Sequence, residues 1–165
     1  MGQGLKTMLA QVTSAQLGVP AELIDVTSGD TGTIALGHGG FASRQTVTAG
    51  SSVHGAAKEV RSKIINMAAH LMEAAEEDIE TGNGNLWVKG TDKSMTIRDL
   101  ARALYSEMGR EPKQMRDEID NLEATKVYDP FFGTTTAATH MCLVEIDPET
   151  YGLSLIHISE PTRPY

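Results

Sequence analysis

The longest regularly patterned stretch of the chain is residues 46–77, which read TVTAGSSVHGAAKEVRSKIINMAAHLMEAAEE. Its apolar residues recur at steps of three and four, which is the spacing of one face of an α-helix. We therefore predict one long amphipathic helix. Gly50 and Gly55 lie inside it and each costs about 1 kcal/mol relative to alanine, which indicates close packing of backbone or of a cofactor near its start. The apolar stripe consists of Val53, Ala57, Val60, Ile64, Ala68, Leu71 and Ala75.

Two shorter elements are predicted before this helix. An apolar stripe begins at Leu5 and continues with Met8, so an amphipathic helix is expected, and Gly18 followed by Pro20 is typical of its end. Residues 23–27 are short and rich in β-branched side chains, which predicts a strand.

Further short elements follow the long helix. Residues 82–85 predict a turn into a strand at residues 86–89, and Thr96 predicts the cap of a third helix. Residues 109–125 are charged and weakly patterned, so we expect a surface excursion there, and residues 135–146 predict a buried strand. The mixed order of helices and short strands predicts an α+β fold.

Composition excludes several classes of function. The 165 residues carry 22 acidic and 14 basic side chains, a net charge of −8, and this acidic balance argues against general binding of nucleic acid. No apolar run reaches the roughly 18 residues of a membrane span. The single cysteine, Cys142, permits neither an intramolecular disulfide nor a Cys-x-x-Cys metal site. We expect a chain that works in the cytoplasm.

Two glycine-rich loops each precede a predicted helix, one at residues 1–4 and one at residues 37–45. Glycine lets backbone N–H groups approach an anion closely, and the helix behind adds partial positive charge. Ser43, Arg44 and the amide of Gln45 add donors suited to a phosphate-bearing ligand. Neither loop matches a nucleotide-binding fingerprint, so tight turns without a ligand stay open as an interpretation. We predict that the two loops converge in space.

Other polar residues favour structural roles. Asp30 is expected to stabilise its own turn, and the carboxylates around Glu76 are expected to form a helix end that is exposed to solvent. His54 and His70 lie sixteen positions apart without a neighbouring metal ligand. His38 lies in the second loop, where contact with a ligand and exposure to solvent both stay open, and His140 is expected to be a core residue of a strand. No arrangement typical of a catalytic triad is present.

The first loop begins a series of segments that resembles the molybdenum hydroxylases, which include xanthine dehydrogenase, aldehyde oxidase and the large subunit of aerobic carbon monoxide dehydrogenase. Met1-Gly2-Gln3-Gly4-Leu5-Lys6-Thr7 with Gln11 is similar to the family segment Met-Gly-Gln-Gly-x-x-Thr-x-x-x-Gln. Further similar segments follow in the same order at residues 17–20, 29–31, 40–44, 128–130 and 144–150, so the likeness covers residues 1–152.

The resemblance implies that residues 1–152 are part of a molybdopterin-binding domain in a longer catalytic subunit. It implies molybdopterin with molybdenum as cofactor, in the cytosine dinucleotide form, held by both loops. Lys6 replaces a histidine found in some members. The resemblance implies that the family's catalytic glutamate belongs to a Gly-x-Gly-Glu segment, which has no counterpart here, so no catalytic residue is expected in this chain. The implied cofactor-binding residues are Met1, Gly2, Gln3, Gly4, Ala42, Ser43, Arg44 and Gln45.

The resemblance also implies partners and a reaction. The parent enzyme would be an oxidoreductase acting on a small aldehyde, N-heterocycle, purine or carbon monoxide, passing electrons to an iron–sulfur small subunit and an FAD-binding medium subunit. The alternative is a standalone α+β phosphate-ligand or interaction module without molybdenum. Residues 153–165 resemble, codon for codon over eleven residues, one frame of a sequencing adapter, and we expect them to be non-native read-through.

Overall fold

A computed structural model of the chain describes residues 2–34, 37, 39–42, 44–106, 121–130, 139, 143–151 and 153–156. The chain forms two compact units, Met1–Thr134 and Thr135–Tyr165. The described helices are α1 (Leu5–Leu17), α2 (Gln45–Met72) and α3 (Ile97–Ser106), with short 3₁₀ turns at Ala21–Leu23 and Glu76–Asp78. The described strands are β1 (Ile79–Gly82), β2 (Asn85–Val88), β3 (Ser94–Thr96), β4 (Leu143–Ile146) and β5 (Leu153–Ile156).

The core of the first unit forms where the second half of α2 meets an antiparallel sheet of order β1-β2-β3 and helix α3. Met67 of α2, Leu86 of β2 and Leu100 of α3 are its largest fully buried side chains. Ile64 and Leu104 extend the same cluster. The apolar stripe predicted for the long helix is confirmed in its middle, where Ile64 and Ala68 are buried in this cluster and Val60 and Leu71 pack against it. Ala75 lies beyond the helix end and is exposed, and the buried Met67 was not part of the predicted stripe.

The N-terminal ends of α1 and α2 lie at the same end of the molecule. Near the start of both helices, a Cβ added to the buried Gly50 would lie 3.5 Å from the sulfur of Met8. At the other end, Leu17 of α1 packs against the cluster that contains Ile64 and Met67. The early residue of α1 thus lies near the early part of α2, and the last residue of α1 lies near the later part of α2, so the two helices run parallel. The two glycine loops therefore precede neighbouring helix starts.

The sheet begins with a tight hairpin between β1 and β2. Gly82 pairs with Asn85 across a two-residue turn, in which Asn83 (φ 48°) and Gly84 (φ 75°) both adopt the left-handed conformation. Such turns match the twist of the strands and favour Asn-Gly. The turn was predicted correctly, whereas strand β1 was missed because a run of acidic residues precedes it.

Helix α3 begins with a capping interaction at Thr96. The Thr96 hydroxyl oxygen accepts a hydrogen bond from the backbone N–H of Asp99 (3.0 Å) and its O–H donates to the Asp99 carboxylate (2.7 Å). One side chain thus satisfies a free N–H of the first turn, as a helix cap does. The predicted cap is confirmed.

Two predicted elements differ from the structure. Residues 23–27 were predicted to form a strand, but Leu23 ends a 3₁₀ turn and no strand pairs with Ile24 to Thr27 among the described residues. The long helix was predicted to reach residue 77, but α2 ends at Met72. Glu73 adopts the left-handed conformation (φ 52°), and its N–H donates to the carbonyl oxygen of His70 (3.3 Å), which closes the helix. The acidic residues 76–78 form a separate turn.

The second unit contains a hairpin. Strands β4 and β5 pair antiparallel, with Leu143 opposite Ile156. In the intervening turn, the Asp147 carboxylate accepts hydrogen bonds from the N–H groups of Glu149 (2.8 Å) and Thr150 (3.2 Å), which lower the pKa of Asp147. The predicted strand over residues 135–146 is confirmed only at its end, because residues 135–138 and 140–142 lie outside the described part. Among the described helices, none has the length and apolarity needed to cross a membrane.

Candidate functional site

The first glycine loop caps helix α1 without any side chain. Gly4 is the N-cap residue and adopts a left-handed conformation (φ 68°), and a Cβ added there would meet no atom within 4 Å. The first helical hydrogen bond runs from the N–H of Met8 to the carbonyl oxygen of Gly4 (3.0 Å). No cap side chain accepts from the N–H groups of the first turn, so these donors are suited to an external anion. Gly2 and Gln3 are exposed beside them.

The second loop is held by contacts within itself. The Arg44 guanidinium lies over the Phe41 ring, 4.1 Å from its centroid. A Cβ on Gly40 would overlap the side-chain amide of Gln45, so that amide lies directly against the Gly40 backbone. Ala42 lies between Phe41 and Arg44 in the chain, and its left-handed backbone conformation (φ 57°) turns the chain there. Arg44 is the N-cap residue of α2, which also lacks a side-chain cap.

The parallel packing of α1 and α2 brings most of the predicted site to one end. Gly2, Gln3 and Gly4 precede α1, and Ala42, Arg44 and Gln45 lie at the start of α2. Met1 and Ser43, also predicted, lie outside the described residues. The described residues of the two loops therefore precede neighbouring helix starts, while the convergence of the loops and the binding role of these residues stay predictions.

Acidic residues are absent from the sequence around both helix starts, although Glu22 and Asp25 line a surface pocket with Lys6 and Thr7 of α1. Residues 1–21 and 31–58 contain none of the 22 acidic residues of the chain, although an even spread would place about six or seven in these 49 positions. They contain three basic residues, Lys6, Arg44 and Lys58. Two helix N-termini with no acidic residue in their first turns suit an anionic ligand such as a phosphate ester. Counting charge along the chain would have revealed this feature from the sequence.

Residues 121–130 lie along α2 and were not recognised as part of this region from the sequence. Lys63 donates to the carbonyl oxygen of Glu123 (2.8 Å), and Lys126 forms an ion pair with Glu59 (2.6 Å). The hydrogen bond and charge of Lys126 lower the pKa of the Glu59 carboxyl.

Nearer the start of α2, the backbone N–H of Tyr128 donates to the Ser52 hydroxyl oxygen (3.0 Å). The segment thus runs antiparallel to α2 and leads the chain toward the end that carries the glycine loops. Gly55 lies along its path, and a Cβ there would be 3.5 Å from Cγ of Lys126. Nothing in the polar sequence of residues 121–130 has a period that could have indicated this path.

Asp30 and the histidines are the remaining candidates from the sequence. The Asp30 carboxylate accepts a hydrogen bond from the N–H of Gly32 (2.8 Å). The backbone carbonyl oxygen of Asp30 accepts one from the N–H of Ile34 (3.0 Å), so the predicted role in the turn is confirmed. His54 and His70 are exposed on α2, and His38 and His140 lie outside the described residues. In the part of the chain that the structure describes, no three His, Cys, Asp or Glu side chains are grouped so that they could hold a metal ion.

The chain is similar to known proteins in family, sequence and structure. The profile of a family described as molybdopterin cofactor-binding domain matches residues 1–159. The carbon monoxide dehydrogenase large chain of Hydrogenophaga pseudoflava is 37% identical over 152 residues, which cover 90% of this chain and 18% of that protein. The nicotine 6-hydroxylase large subunit of Paenarthrobacter nicotinovorans is 37% identical over 150 residues, with the same two coverages.

A solved structure, quinoline 2-oxidoreductase from Pseudomonas putida 86, superposes with a TM-score of 0.68 at 34% identity, covering 93% of this chain and 19% of that one. The Cu,Mo-CO dehydrogenase in its carbon monoxide reduced state gives a TM-score of 0.65 at 32% identity, with the same coverages. The chain thus spans less than a fifth of the length of these relatives.

Proposed function

Because the chain belongs to the molybdopterin cofactor-binding domain family, we propose that its two glycine loops hold the phosphate- and pterin-bearing parts of a molybdenum cofactor. Membership confirms the resemblance drawn from the sequence, and the α+β fold agrees with that of the solved relatives. The alternative of a standalone module without molybdenum is not favoured, because the family match covers nearly the whole chain.

The observation that carries the proposal is the pair of neighbouring helix starts without acidic residues. Backbone N–H groups of the first turns would donate to phosphate oxygens. The Arg44 guanidinium would add a charged fork, which suits phosphate geometry better than a lysine ammonium. The amides of Gln3 and Gln45 would offer both donors and acceptors to the heterocycle. The donor set thus fits an anionic cofactor, and when bound, the cofactor supplies the oxidation–reduction chemistry.

We further propose that the chain is the cofactor-binding part of a larger oxidoreductase subunit. The relatives of this chain include a carbon monoxide dehydrogenase large chain and a nicotine 6-hydroxylase large subunit, and this chain spans about a fifth of each. General acid–base chemistry would therefore come from residues outside it. The same proposal includes the cytosine dinucleotide form of the cofactor and a small aldehyde, heterocycle or carbon monoxide as substrate. It also includes iron–sulfur and FAD partner subunits and a cytoplasmic location.

The test is cofactor loading in the complete subunit, measured as molybdenum per polypeptide by elemental analysis beside the dye-reduction rate. A hydrogen bond to a charged group contributes about 1.5–3 kcal/mol, so Arg44→Ala is expected to weaken retention about tenfold or more. Gln3→Ala is expected to lower loading less. Turnover per molybdenum atom is expected to change little in both variants, because neither residue transfers the reacting proton.

Lys58→Ala is the matched control, since it removes a positive charge from the same helix about 20 Å from its start. Loading is expected to be unchanged in this control. Full molybdenum loading with abolished turnover in Arg44→Ala would contradict the proposal and make Arg44 a residue of the substrate site.

A further inference from the structure

We infer that Phe41 is a positioning residue, whose ring holds the Arg44 guanidinium in the orientation that receives the anionic part of the cofactor. The inference rests on the proposed function, because it presumes that Arg44 binds this cofactor. It assigns a role to an exposed aromatic side chain that the sequence pattern left unexplained.

The geometry places ring and cation in direct contact. The Phe41 ring is 50% exposed, and the Arg44 guanidinium carbon lies 4.1 Å from its centroid, within the range of a cation–π interaction. The left-handed conformation of Ala42 (φ 57°) turns the chain between the two residues. A phenylalanine that served only to fill the core would be buried, but half of this one faces solvent at the end of the molecule where the helix starts lie.

The contact matters because it restricts a flexible cation. A free arginine side chain samples many rotamers, and a binding partner must arrest that motion at an entropic cost. Among the described residues no carboxylate pairs with Arg44, so the ring is the contact that orients it. A planar guanidinium lying against a ring keeps its edge N–H groups available for an oxygen ligand. The ring therefore orients the cation without occupying its donors.

A second contact holds the same loop. The side-chain amide of Gln45 lies where a Cβ on Gly40 would be, so residue 40 must lack a side chain for the amide to keep this place. The two contacts, Phe41 with Arg44 and Gly40 with Gln45, link the loop to the first residues of α2. Arg44 and Gln45, two of the four residues predicted to bind the cofactor on this side, are thus held in place by the loop itself.

The test is a double-mutant cycle in the complete subunit, read out as molybdenum retained per polypeptide after dialysis. Phe41→Leu keeps an apolar side chain but removes the π face, and we expect retention to fall about two- to fivefold, the size of an exposed cation–π contact. Phe41→Tyr restores the π face and is expected to recover the retention that Phe41→Leu loses. In the Arg44→Ala background, Phe41→Leu is expected to cause no further loss, because its effect acts through the guanidinium.

A spectroscopic measurement on the present chain separates positioning from general stability. Because the Arg44 guanidinium lies over the Phe41 ring, we expect the ring current to shift the side-chain N–H resonance of Arg44 in an NMR spectrum. Phe41→Leu is expected to abolish that shift while the thermal midpoint stays unchanged. An equal loss of retention from Phe41→Leu in both backgrounds would overturn the inference and leave the proposed function intact. Unchanged retention in Arg44→Ala alone would overturn both.

Discussion

Gly50 offers the sharpest test of how α1 packs on α2. It is buried within α2 near the start of the helix, where the sequence indicated close packing of backbone or of a cofactor. In the structure an added Cβ would lie 3.5 Å from the sulfur and 3.9 Å from the methyl carbon of Met8. These are ordinary van der Waals distances, so one methyl group fits without displacing the neighbouring helix.

The expected effect of Gly50→Ala is therefore stabilisation. Alanine is favoured over glycine inside a helix by about 0.8–1.0 kcal/mol, and no strain offsets this gain. A change of this size raises the thermal midpoint by about 2–4 °C in a domain of roughly 150 residues. Gly50→Leu adds three further carbon atoms at the same contact, and overpacking of this kind costs about 1–3 kcal/mol, so its midpoint is expected to fall.

The assay is unfolding in urea followed by the helical circular dichroism signal, with Gly55→Ala as the matched control. Gly55 lies in the same helix, and its added Cβ would be 3.5 Å from Cγ of Lys126, so it is expected to gain similar stability. If Gly50→Ala lost 1 kcal/mol or more while Gly55→Ala gained stability, the α1–α2 distance in the structure would be wrong. If Gly50→Ala were stable but lost molybdenum in the complete subunit, the small residue would serve the cofactor instead of the helix pair.

Three further predictions concern the rest of the chain. Thr96→Ala is expected to destabilise the first unit by about 1 kcal/mol, measured by urea unfolding, because it removes the cap of α3, whereas Thr96→Ser is expected to retain stability. Lys126 lowers the pKa of Glu59, so the stabilisation from their ion pair is complete above the ordinary pKa of Glu59 and disappears as pH falls through the lowered value. Lys126→Met is accordingly expected to raise the Glu59 pKa in a carbon NMR titration, and an unchanged pKa would refute the contact. Deleting residues 153–165 is expected to leave the thermal midpoint of the first unit unchanged, since that tail is proposed to be non-native; a lower midpoint would argue that the tail is a native part of the fold.

Features that depend on only a few neighbouring residues were predicted correctly from the sequence. The end of α1 at Gly18 and the Thr96 cap follow from backbone conformation and hydrogen bonding within a few residues. The end of α2 did not follow, because Glu73 takes the left-handed position that glycine usually occupies. Strand β1 was missed because a run of acidic residues precedes it. Its pairing depends on the hairpin at Asn83, whose turn signal was recognised without extending the pattern backward.

The failed strand at residues 23–27 shows where local reasoning stops. Ile24 and Val26 are half-buried, while Leu23, Asp25 and Thr27 are exposed, so burial alternates with the period of two expected for a strand. The backbone at Ile24 is extended, with φ −107° and ψ 112°. The sequence therefore predicted the local conformation correctly, but a strand also requires a partner, and no described residue pairs with it.

The candidate site was predicted in part for a different reason. Glycine loops before helices are visible in sequence, but their convergence depends on the parallel packing of α1 on α2, which a contact between Met8 and Gly50 reveals only in three dimensions. The net charge of −8 conceals a strong asymmetry, since residues 1–21 and 31–58 carry +3 and the other 116 residues carry −11. A chain with a net negative charge can therefore still carry a locally positive stretch of sequence around its helix starts, because the helix termini and Arg44 act within a few ångströms, whereas charges beyond about 8–10 Å are screened.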